Sequence, residues 1–321
     1  MLDRRQLIAA GMAFAAVPAP AQGKYPEKPI RLIVPFGPGG LADVTARFVG
    51  ERMGQVLGQQ IVIVNQPGAG GVAAARAALS GPADGYNLVL FTNGTAISVS
   101  LVKDLGYDPI VQFAPVSSLG FFDFLLLTSA EHPYKTLADV LTAAKATPGA
   151  LNIATINVGS SQNLSANIFK SMAGVDMAIV PFRTTPDTIT ALLRKDVDLV
   201  IDGYVAAKSL IGEGKLKALA TSGPRRFAGL PDIPTVAESG VAGFDVTSWN
   251  AIFAPAGTPA AIIETLNNAA LTALADAGVR QRLLDLGIEA RGGTPAAIAE
   301  RLRIDIARWG DVIRSAGIPQ Q

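Results

Sequence analysis

The stretch Ile30-Arg-Leu-Ile-Val-Pro-Phe-Gly-Pro-Gly-Gly-Leu-Ala-Asp43 contains the pattern from which the fold can be predicted. Its opening residues are mostly apolar and β-branched, which is typical of a buried strand. The chain then turns through Gly37 to Gly40, and apolar residues recur at helical spacing from Leu41. Backbone N–H groups at such a helix start have no helical partners, and they lie at the positive end of the helix dipole. We therefore predict that this turn binds a carboxylate; a tight turn that binds nothing would show the same local pattern.

The same turn excludes two phosphate-binding motifs. No Gly-Lys-Ser/Thr follows the glycines, so the turn is not a nucleotide P-loop. The third glycine of the dinucleotide fingerprint is missing, and no acidic residue follows the next strand at the usual place. We predict no cofactor.

Composition narrows the class of protein. A length of 321 residues suggests about two domains, and 49% hydrophobic with 17% charged residues fits an α/β protein with a sizeable core. A net charge of +1 provides no global attraction for nucleic acid, so no nucleic-acid partner is predicted. The sequence has no cysteine, and its single histidine, His132, lies in a Glu-His-Pro-Tyr loop typical of a solvated turn. We predict neither a metal site nor a catalytic residue.

The N-terminus has the pattern of an export signal. Arg4 and Arg5 precede an apolar run over residues 7–17, which is too short to span a bilayer but fits a signal-peptide core. Ala19-Pro-Ala21 fits a cleavage site, so residues 1–21 are predicted to be a signal peptide. The arginine pair matches a twin-arginine signal, and an ordinary secretory signal stays open as the alternative. Both alternatives predict a periplasmic protein.

Polar residues follow several predicted strands. One strand ends at Thr92-Asn-Gly-Thr95, another is followed by the loop over residues 157–162, and a third ends at Asp202. In an open parallel sheet, ligands bind at the carboxyl ends of the strands. We therefore expect two α/β units that face each other across a cleft. Extended crossings over residues 120–123 and 243–248 would form a hinge.

Ordered segments along most of the mature chain are typical of one family: Tyr25-Pro-Glu-Lys-Pro, Asn65-Gln-Pro-Gly-Ala-Gly-Gly, Asp84-Gly-Tyr, Thr92-Asn-Gly-Thr, Tyr107-Asp-Pro, Phe113-Ala-Pro-Val, Phe169-Lys-Ser-Met-Ala-Gly, Asp232-Ile-Pro-Thr-Val-Ala-Glu and Phe253-Ala-Pro-Ala-Gly-Thr-Pro. With them the chain resembles the extracytoplasmic solute receptors of tripartite tricarboxylate transporters, the Bug family. The resemblance implies an α/β, two-domain periplasmic-binding-protein fold (type II, Venus flytrap), each domain a mixed sheet flanked by helices. We place domain 1 at residues 22–122 and 247–321, and domain 2 at residues 123–246.

The resemblance also implies capture of a small carboxylate. In the family, backbone amides and hydroxyls of two facing loops hold the carboxylate, often with bridging waters; here the loops are residues 36–43 and 157–162, and neither contains arginine. Where many relatives have histidine this chain has Asn163, and where relatives often have Asp-Asn it has Asp202-Gly203, so no relative's ligand is carried across. The implied partner is a set of membrane permease subunits, and the receptor is expected to be a monomer.

The predicted ligand-binding residues combine the two loops with strand ends: Phe36, Gly37, Gly39, Gly40, Leu41, Asp43, Thr92, Asn93, Thr95, Asn157, Gly159, Ser160, Ser161, Gln162, Phe182 and Asp202. Structural roles stay open for several of them. Asp43 and Asn93 are also suited to capping turns, and a serine at a helix start is by default an N-cap. At least one of Ser160 and Ser161 is expected to contact the ligand. Asp202 would repel a carboxylate unless an amine or a water intervenes.

The leading function hypothesis is a binding protein without catalysis. A solute sensor that passes its closed state to a signalling partner is the first alternative. A hydrolase using Ser160 or Ser161 is disfavoured, because the sequence lacks Gly-x-Ser-x-Gly, a base near these serines and a metal-ligand cluster.

Overall fold

The computed structural model describes residues 25–227, 230–315 and 317–320. The predicted signal peptide and its arginine pair therefore lie outside the described residues. Within the described ranges, no helix combines the length and the apolar character that a membrane span requires.

Ten strands and ten α-helices form within these ranges, and a short 3₁₀ turn (Ala69–Gly71) precedes the second helix. The strands are β1 (Ile30–Val34), β2 (Ile61–Asn65), β3 (Asn87–Thr92), β4 (Phe113–Ser129), β5 (Asn152–Ile156), β6 (Ala178–Phe182), β7 (Leu199–Gly203), β8 (Leu216–Thr221), β9 (Thr247–Pro255) and β10 (Glu289–Ala290). The helices are α1 (Leu41–Leu57), α2 (Val72–Leu79), α3 (Asn93–Leu101), α4 (Leu137–Ala146), α5 (Ser161–Ala173), α6 (Thr185–Arg194), α7 (Tyr204–Gly212), α8 (Ala260–Ala275), α9 (Ala277–Leu284) and α10 (Pro295–Ser315).

Strand β4, which is 17 residues long, joins two groups of strands. The strand order is β2-β1-β3-β9-β4-β7-β5-β6, and β8 and β10 also pair with β4. Up to Asp123, β4 pairs with β9 and β10; from Phe124 onward, it pairs with β7 and β8. We call residues 25–123 and 247–320 the first lobe, and residues 124–246 the second lobe. The change of pairing partners between Asp123 and Phe124 supports the predicted domain boundaries, which remain a prediction.

Burial follows the apolar pattern of the sequence. Strand β1 is flanked by parallel strands on both sides and buries Ile30, Leu32, Ile33 and Val34 completely, as expected for a strand covered on both faces. Each lobe has its own layer of helices, and their apolar faces pack on the sheet. The predicted mixed α/β sheet flanked by helices is confirmed.

Two buried tryptophans attach helix α10 to the first lobe. The indole N–H of Trp249, on β9, donates to Asp305 of α10 at 2.6 Å. The indole N–H of Trp309, on α10, donates to Oδ1 of Asn93 at 2.6 Å. Asn93 therefore starts helix α3 while accepting a hydrogen bond from the C-terminal helix.

The strand that was predicted to end at residues 92–95 ends at Thr92, and a helix that was not predicted from the sequence follows it. Helix α3 begins directly after β3, and the hydroxyl of Thr92 accepts from the N–H of Gly94 at 3.0 Å. The Thr95 hydroxyl accepts from the N–H of Thr92 at 3.2 Å, which completes a capping box. A glycine and β-branched residues in the helix lower its intrinsic propensity, and this explains why the sequence pattern does not show it.

Candidate ligand-binding cleft

A cleft lies between the lobes, at the carboxyl ends of parallel strands from both. Its lining is Phe36, Gly37, Gly40, Leu41, Ala42, Thr92, Phe122, Ile156, Ser161, Gln162, Arg183, Thr184, Thr185, Ser248 and Asn250. A smaller space shares Phe36 and Thr92 with the cleft. Both spaces lie where the strand-to-helix loops of the two lobes meet.

The loop after β1 is held in shape by the buried carboxylate of Asp43. One oxygen accepts from the N–H of Gly39 at 3.0 Å, where a left-handed φ of +88° favours glycine. Asn65 donates to Asp43 at 2.9 Å and to the carbonyl of Phe36 at 3.0 Å, and Arg47 also donates to Asp43. Burial raises the pKa of Asp43, but the hydrogen bonds from Arg47, Gly39 and Asn65 outweigh burial and hold that pKa below its ordinary value.

The first turn of α1 faces the cleft without a side-chain cap. Gly40 is the N-cap residue, and as a glycine it has no side chain that could accept a hydrogen bond from this turn. The first N–H groups of a helix have no intrahelical acceptor, and they lie at its positive end. Leu41 and Ala42 line the cleft, so their backbone can donate to an anionic ligand.

The two adjacent serines at the start of α5 have different surroundings. The Ser160 hydroxyl caps α5 by accepting from the N–H of Asn163 at 3.0 Å, and it donates to the carbonyl of Ile156 at 3.2 Å. The Ser161 hydroxyl lies 3.0 Å from the Ser248 hydroxyl of the first lobe. Ser161 and Ser248 line the cleft, whereas Ser160 does not. Ser160 is therefore a capping residue, while Ser161 is positioned to meet a ligand.

Alanine substitutions should separate these two roles. Ser160→Ala is expected to lower the free energy of unfolding by about 1 kcal/mol, the usual cost of a lost N-cap, with less than about a twofold change in ligand affinity. Ser161→Ala should weaken binding by roughly fivefold, the equivalent of about 1 kcal/mol for one hydrogen bond. Denaturant unfolding and calorimetric titration of each variant measure the two quantities. Equal effects of both substitutions on affinity would contradict this assignment.

Residues at the start of α6 form another part of the lining. Thr184 caps the helix by accepting from the N–H of Asp187 at 3.3 Å, and its hydroxyl donates to the Asp187 carboxylate at 2.6 Å. Arg183 is exposed, and it is the only charged residue among the described residues that line the cleft. Within the described part of the chain, no carboxylate lies within ion-pair distance of Arg183.

Asp202 lies behind the lining of the cleft. It is fully buried and accepts from the Thr185 hydroxyl at 2.7 Å, the Gly203 N–H at 2.7 Å and the Gln162 amide at 3.3 Å. Burial raises the pKa of this carboxyl above its ordinary value, against the opposing effect of the hydrogen bonds. Asp202 thus positions two lining residues, Thr185 and Gln162. Direct contact between Asp202 and the ligand remains a prediction.

The lobes touch each other across the cleft. A Cβ atom built on Gly37 would lie 2.4 Å from Cγ2 of Thr184 in the opposite lobe. The N–H of Gly70 in the first lobe donates to the carbonyl of Val158 in the second lobe at 3.2 Å. The structure is therefore a closed arrangement of the two lobes.

The structure separates the predicted site residues into three groups. Those that line the cleft are Phe36, Gly37, Gly40, Leu41, Thr92, Ser161 and Gln162. Those that line only the smaller space are Thr95, Gly159 and Ser160. Those that line neither are Gly39, Asp43, Asn93, Asn157, Phe182 and Asp202.

Ala42 was predicted only as part of the loop over residues 36–43, and seven further lining residues were not predicted from the sequence: Phe122, Ile156, Arg183, Thr184, Thr185, Ser248 and Asn250. Two signals could have identified part of this group. Thr184-Thr-Pro186 follows a strand and repeats the helix-start pattern seen elsewhere in the chain. Ser248 and Asn250 are two residues apart in a buried strand, so they lie on the same face of it.

Comparisons with known proteins agree with this architecture. A sequence profile described as "Tripartite tricarboxylate transporter family receptor" matches residues 45–318. Three solved structures are similar to this one. The periplasmic binding protein BugD has 30% identity and a TM-score of 0.88, over 92% of this chain and 100% of BugD. MatC from Rhodopseudomonas palustris with bound malate has 35% identity and a TM-score of 0.85, over 90% of this chain and 100% of MatC. R. palustris Rpa4515 with adipate has 34% identity and a TM-score of 0.88, over 92% of this chain and 100% of that chain.

These matches confirm the fold class that the sequence resemblance implied, an α/β fold of the periplasmic binding protein type. The family profile covers most of both lobes, and it begins after the loop over residues 36–43. The chain belongs to the receptor family of the tripartite tricarboxylate transporters, the Bug family.

Proposed function

We propose that this protein is a periplasmic receptor that captures a small carboxylate between its lobes and delivers it to the membrane permease of a tripartite tricarboxylate transporter. The observation that carries the proposal is the charge of the cleft. Among the described lining residues, Arg183 is a cation without an ion-pair partner, and no lining residue is acidic. The ligands of MatC and Rpa4515, malate and adipate, are dicarboxylates and agree with this chemistry.

The lining offers hydrogen-bond donors of three kinds. The N–H groups of Leu41 and Ala42 lie at the start of α1, and the Thr92 hydroxyl, which accepts from Gly94, donates to no acceptor among the described residues. Arg183 adds a positive charge at an exposed position. A carboxylate in the cleft would therefore bind mainly to neutral donors, with one cation nearby to favour an anion.

We further propose that the lobes are hinged domains that close on the ligand. Ser222 connects the two chain crossings: its hydroxyl accepts from the N–H of Phe124 at 2.8 Å and donates to the carbonyl of Val246 at 2.7 Å. Its N–H donates to the carbonyl of Phe124, and its carbonyl accepts from the N–H of Val246, both at 2.8 Å. Both crossings are therefore fixed to one residue, and they would move together when the lobes open.

The arrangement of the polar groups favours binding over catalysis. The partner of the Ser161 hydroxyl is the Ser248 hydroxyl, which is not a general base. His132 lies 3.2 Å from Asp198, just before the amino end of β7, whereas the cleft is at the carboxyl ends of the strands. We therefore infer that the protein returns its ligand unchanged.

A thermal-shift screen of the mature protein against mono-, di- and tricarboxylates tests the proposal. A ligand at about 100 times its dissociation constant should stabilise the protein by about 2.7 kcal/mol. We expect one chemical class of carboxylate to raise the melting temperature, and mass spectrometry to recover it unaltered. The receptor proposal fails if no carboxylate binds and denaturation releases no bound compound. Recovery of an altered ligand would instead indicate an enzyme.

Arg183→Gln should weaken carboxylate binding by roughly 3- to 10-fold at low ionic strength, with a smaller loss at high salt, since an exposed charge is screened. Arg194→Gln is the matched control, because Arg194 is exposed at the C-terminal end of α6, the helix that Arg183 precedes, and does not line the cleft. Isothermal titration at two salt concentrations measures both variants. The same loss in both would show that net charge, and not the position of Arg183, affects binding.

A further inference from the structure

Among the described residues that line the cleft, Asn250, on β9, is the one with a buried side-chain atom that has no hydrogen-bond partner. It has no solvent-exposed surface, and it lines the cleft. Its Nδ2 donates to the Thr45 hydroxyl at 3.0 Å and lies 3.4 Å from the carbonyl oxygen of Leu41. Its Oδ1 has no hydrogen-bond partner.

The surrounding hydrogen bonds fix the orientation of this amide. The Thr45 hydroxyl donates its hydrogen to the carbonyl of Leu41 at 2.7 Å, so toward Asn250 it can only accept. If the Asn250 amide were rotated by half a turn, its oxygen would face the Thr45 hydroxyl oxygen and the Leu41 carbonyl oxygen, which are both acceptors. Nδ2 therefore points to Thr45 and Leu41, and Oδ1 is the atom left for another partner.

Several other polar side chains of the cleft have hydrogen-bond partners. Ser161 pairs with Ser248, Gln162 donates to Asp202, and Thr92 accepts from Gly94. Among the described residues that line the cleft or the smaller space beside it, only Asn250 has a buried polar side-chain atom without a partner. This atom is an acceptor, and a buried acceptor is stabilised only by a donor.

A carboxylate group cannot supply that donor, because an ionised carboxylate only accepts hydrogen bonds. Its oxygens would instead repel the Asn250 oxygen. Leu41, whose carbonyl contacts the Asn250 amide, is also the first residue of α1, and Leu41 and Ala42 at the start of this helix line the cleft. The unpaired acceptor therefore lies beside the place where we propose that a carboxylate binds.

We propose that Asn250 makes the receptor selective for carboxylates that carry a hydroxyl or ammonium group near a carboxylate, over the same acids without that group. This inference rests on the proposed function, since it assumes that a carboxylate occupies the cleft. Asn250 thus acts as a specificity-determining residue, and Thr45 is the positioning residue that orients its amide.

Matched pairs of acids test the inference in the wild-type protein. The pairs are malate and succinate, aspartate and succinate, and lactate and propionate, with affinities from isothermal titration. We expect at least one substituted acid to bind roughly tenfold or more tightly than its unsubstituted partner, as one buried hydrogen bond provides. The malate and aspartate arms show whether the donor is a hydroxyl or an ammonium group.

Asn250→Ala should reduce that preference to within about twofold, because the acceptor is removed. Thr45→Val should reduce it partly, since the amide loses the partner that orients it. Asn268→Ala is the control, because Asn268 is an exposed residue of α8 that does not line the cleft. Circular dichroism confirms that each variant folds, and the wild-type comparison decides the question even if Asn250→Ala does not fold.

Each remaining outcome overturns the inference. If both members of every pair bind equally, or if Asn250→Ala keeps the full preference, Asn250 does not select the ligand, although the protein is still a carboxylate receptor. If only acids without a donor bind, the selectivity has the opposite sign. If no carboxylate binds at all, the selectivity and the proposed function fail together.

Discussion

Replacing Gly37 with valine is expected to weaken ligand binding by roughly 30- to 150-fold, the equivalent of about 2–3 kcal/mol for an overpacked contact. A Cβ atom at this position would lie 2.4 Å from Thr184 Cγ2 and 3.3 Å from the carbonyl of Arg183. Thr184 cannot easily rotate away, because its hydroxyl caps α6. Since the contact joins the two lobes, the substitution penalises closure and not the folding of either lobe.

Titration of Gly37→Val with a carboxylate that the wild-type protein binds measures this loss. Small-angle scattering should show that ligand compacts the wild-type protein and fails to compact the variant. Gly212→Ala is the matched control, because a Cβ atom at Gly212 has no atom within 4 Å. A variant that binds normally and still compacts would show that ligand binding does not need the close contact between Gly37 and Thr184.

Asp43→Ala is expected to lower the free energy of unfolding by about 1–3 kcal/mol and to weaken ligand binding by at least roughly tenfold. The buried carboxylate accepts from Gly39, Arg47 and Asn65, and its loss would leave the loop after β1 without its internal support. The N–H groups at the start of α1 would then no longer be held in position for a ligand. Denaturant unfolding and titration measure the two effects.

The effect of Asp43 on stability should depend on pH. Its pKa is lower in the folded protein than the ordinary value of about 3.9, so the folded state favours the ionised form. The stabilisation is therefore fully present above that value and is lost as the pH falls through the folded pKa. The difference in stability between wild type and Asp43→Ala should narrow below about pH 4. The control is Asp196→Ala at an exposed position, which should change the free energy of unfolding by less than about 0.5 kcal/mol. Equal losses of stability in Asp43→Ala and Asp196→Ala would contradict a special role for Asp43.

The general architecture follows from patterns that are local in sequence. Strand β1, the glycine turn and the start of α1 lie within fourteen consecutive residues, and each has a distinct chemical pattern. Helix α3 was not predicted, because the Thr92 and Thr95 hydroxyls that cap a helix serve equally well in a polar turn. The two possibilities differ only in how the following residues pack against the rest of the protein.

The composition of the site was harder to predict, because polar residues at strand ends either face a ligand or support the loops. The partner decides between these roles, and the partner can be far away in sequence. Asn93, for example, accepts a hydrogen bond from Trp309, which is 216 residues away. Asn250 reaches the cleft only because β9 pairs with both β3 and β4. No local pattern contains such information.

The position of β9 also constrains the order in which the chain can assemble. Strand β9 lies between β3 and β4, so Thr92 pairs with Asn250, and the sheet of the first lobe has a gap until that late segment is available. The second lobe, in contrast, is one continuous segment that ends before β9. During synthesis the inner segment can fold first, while β3 and β4 keep unpaired edges that attract other strands. We therefore expect the nascent chain to be most prone to aggregation in the interval before residue 255 emerges from the ribosome.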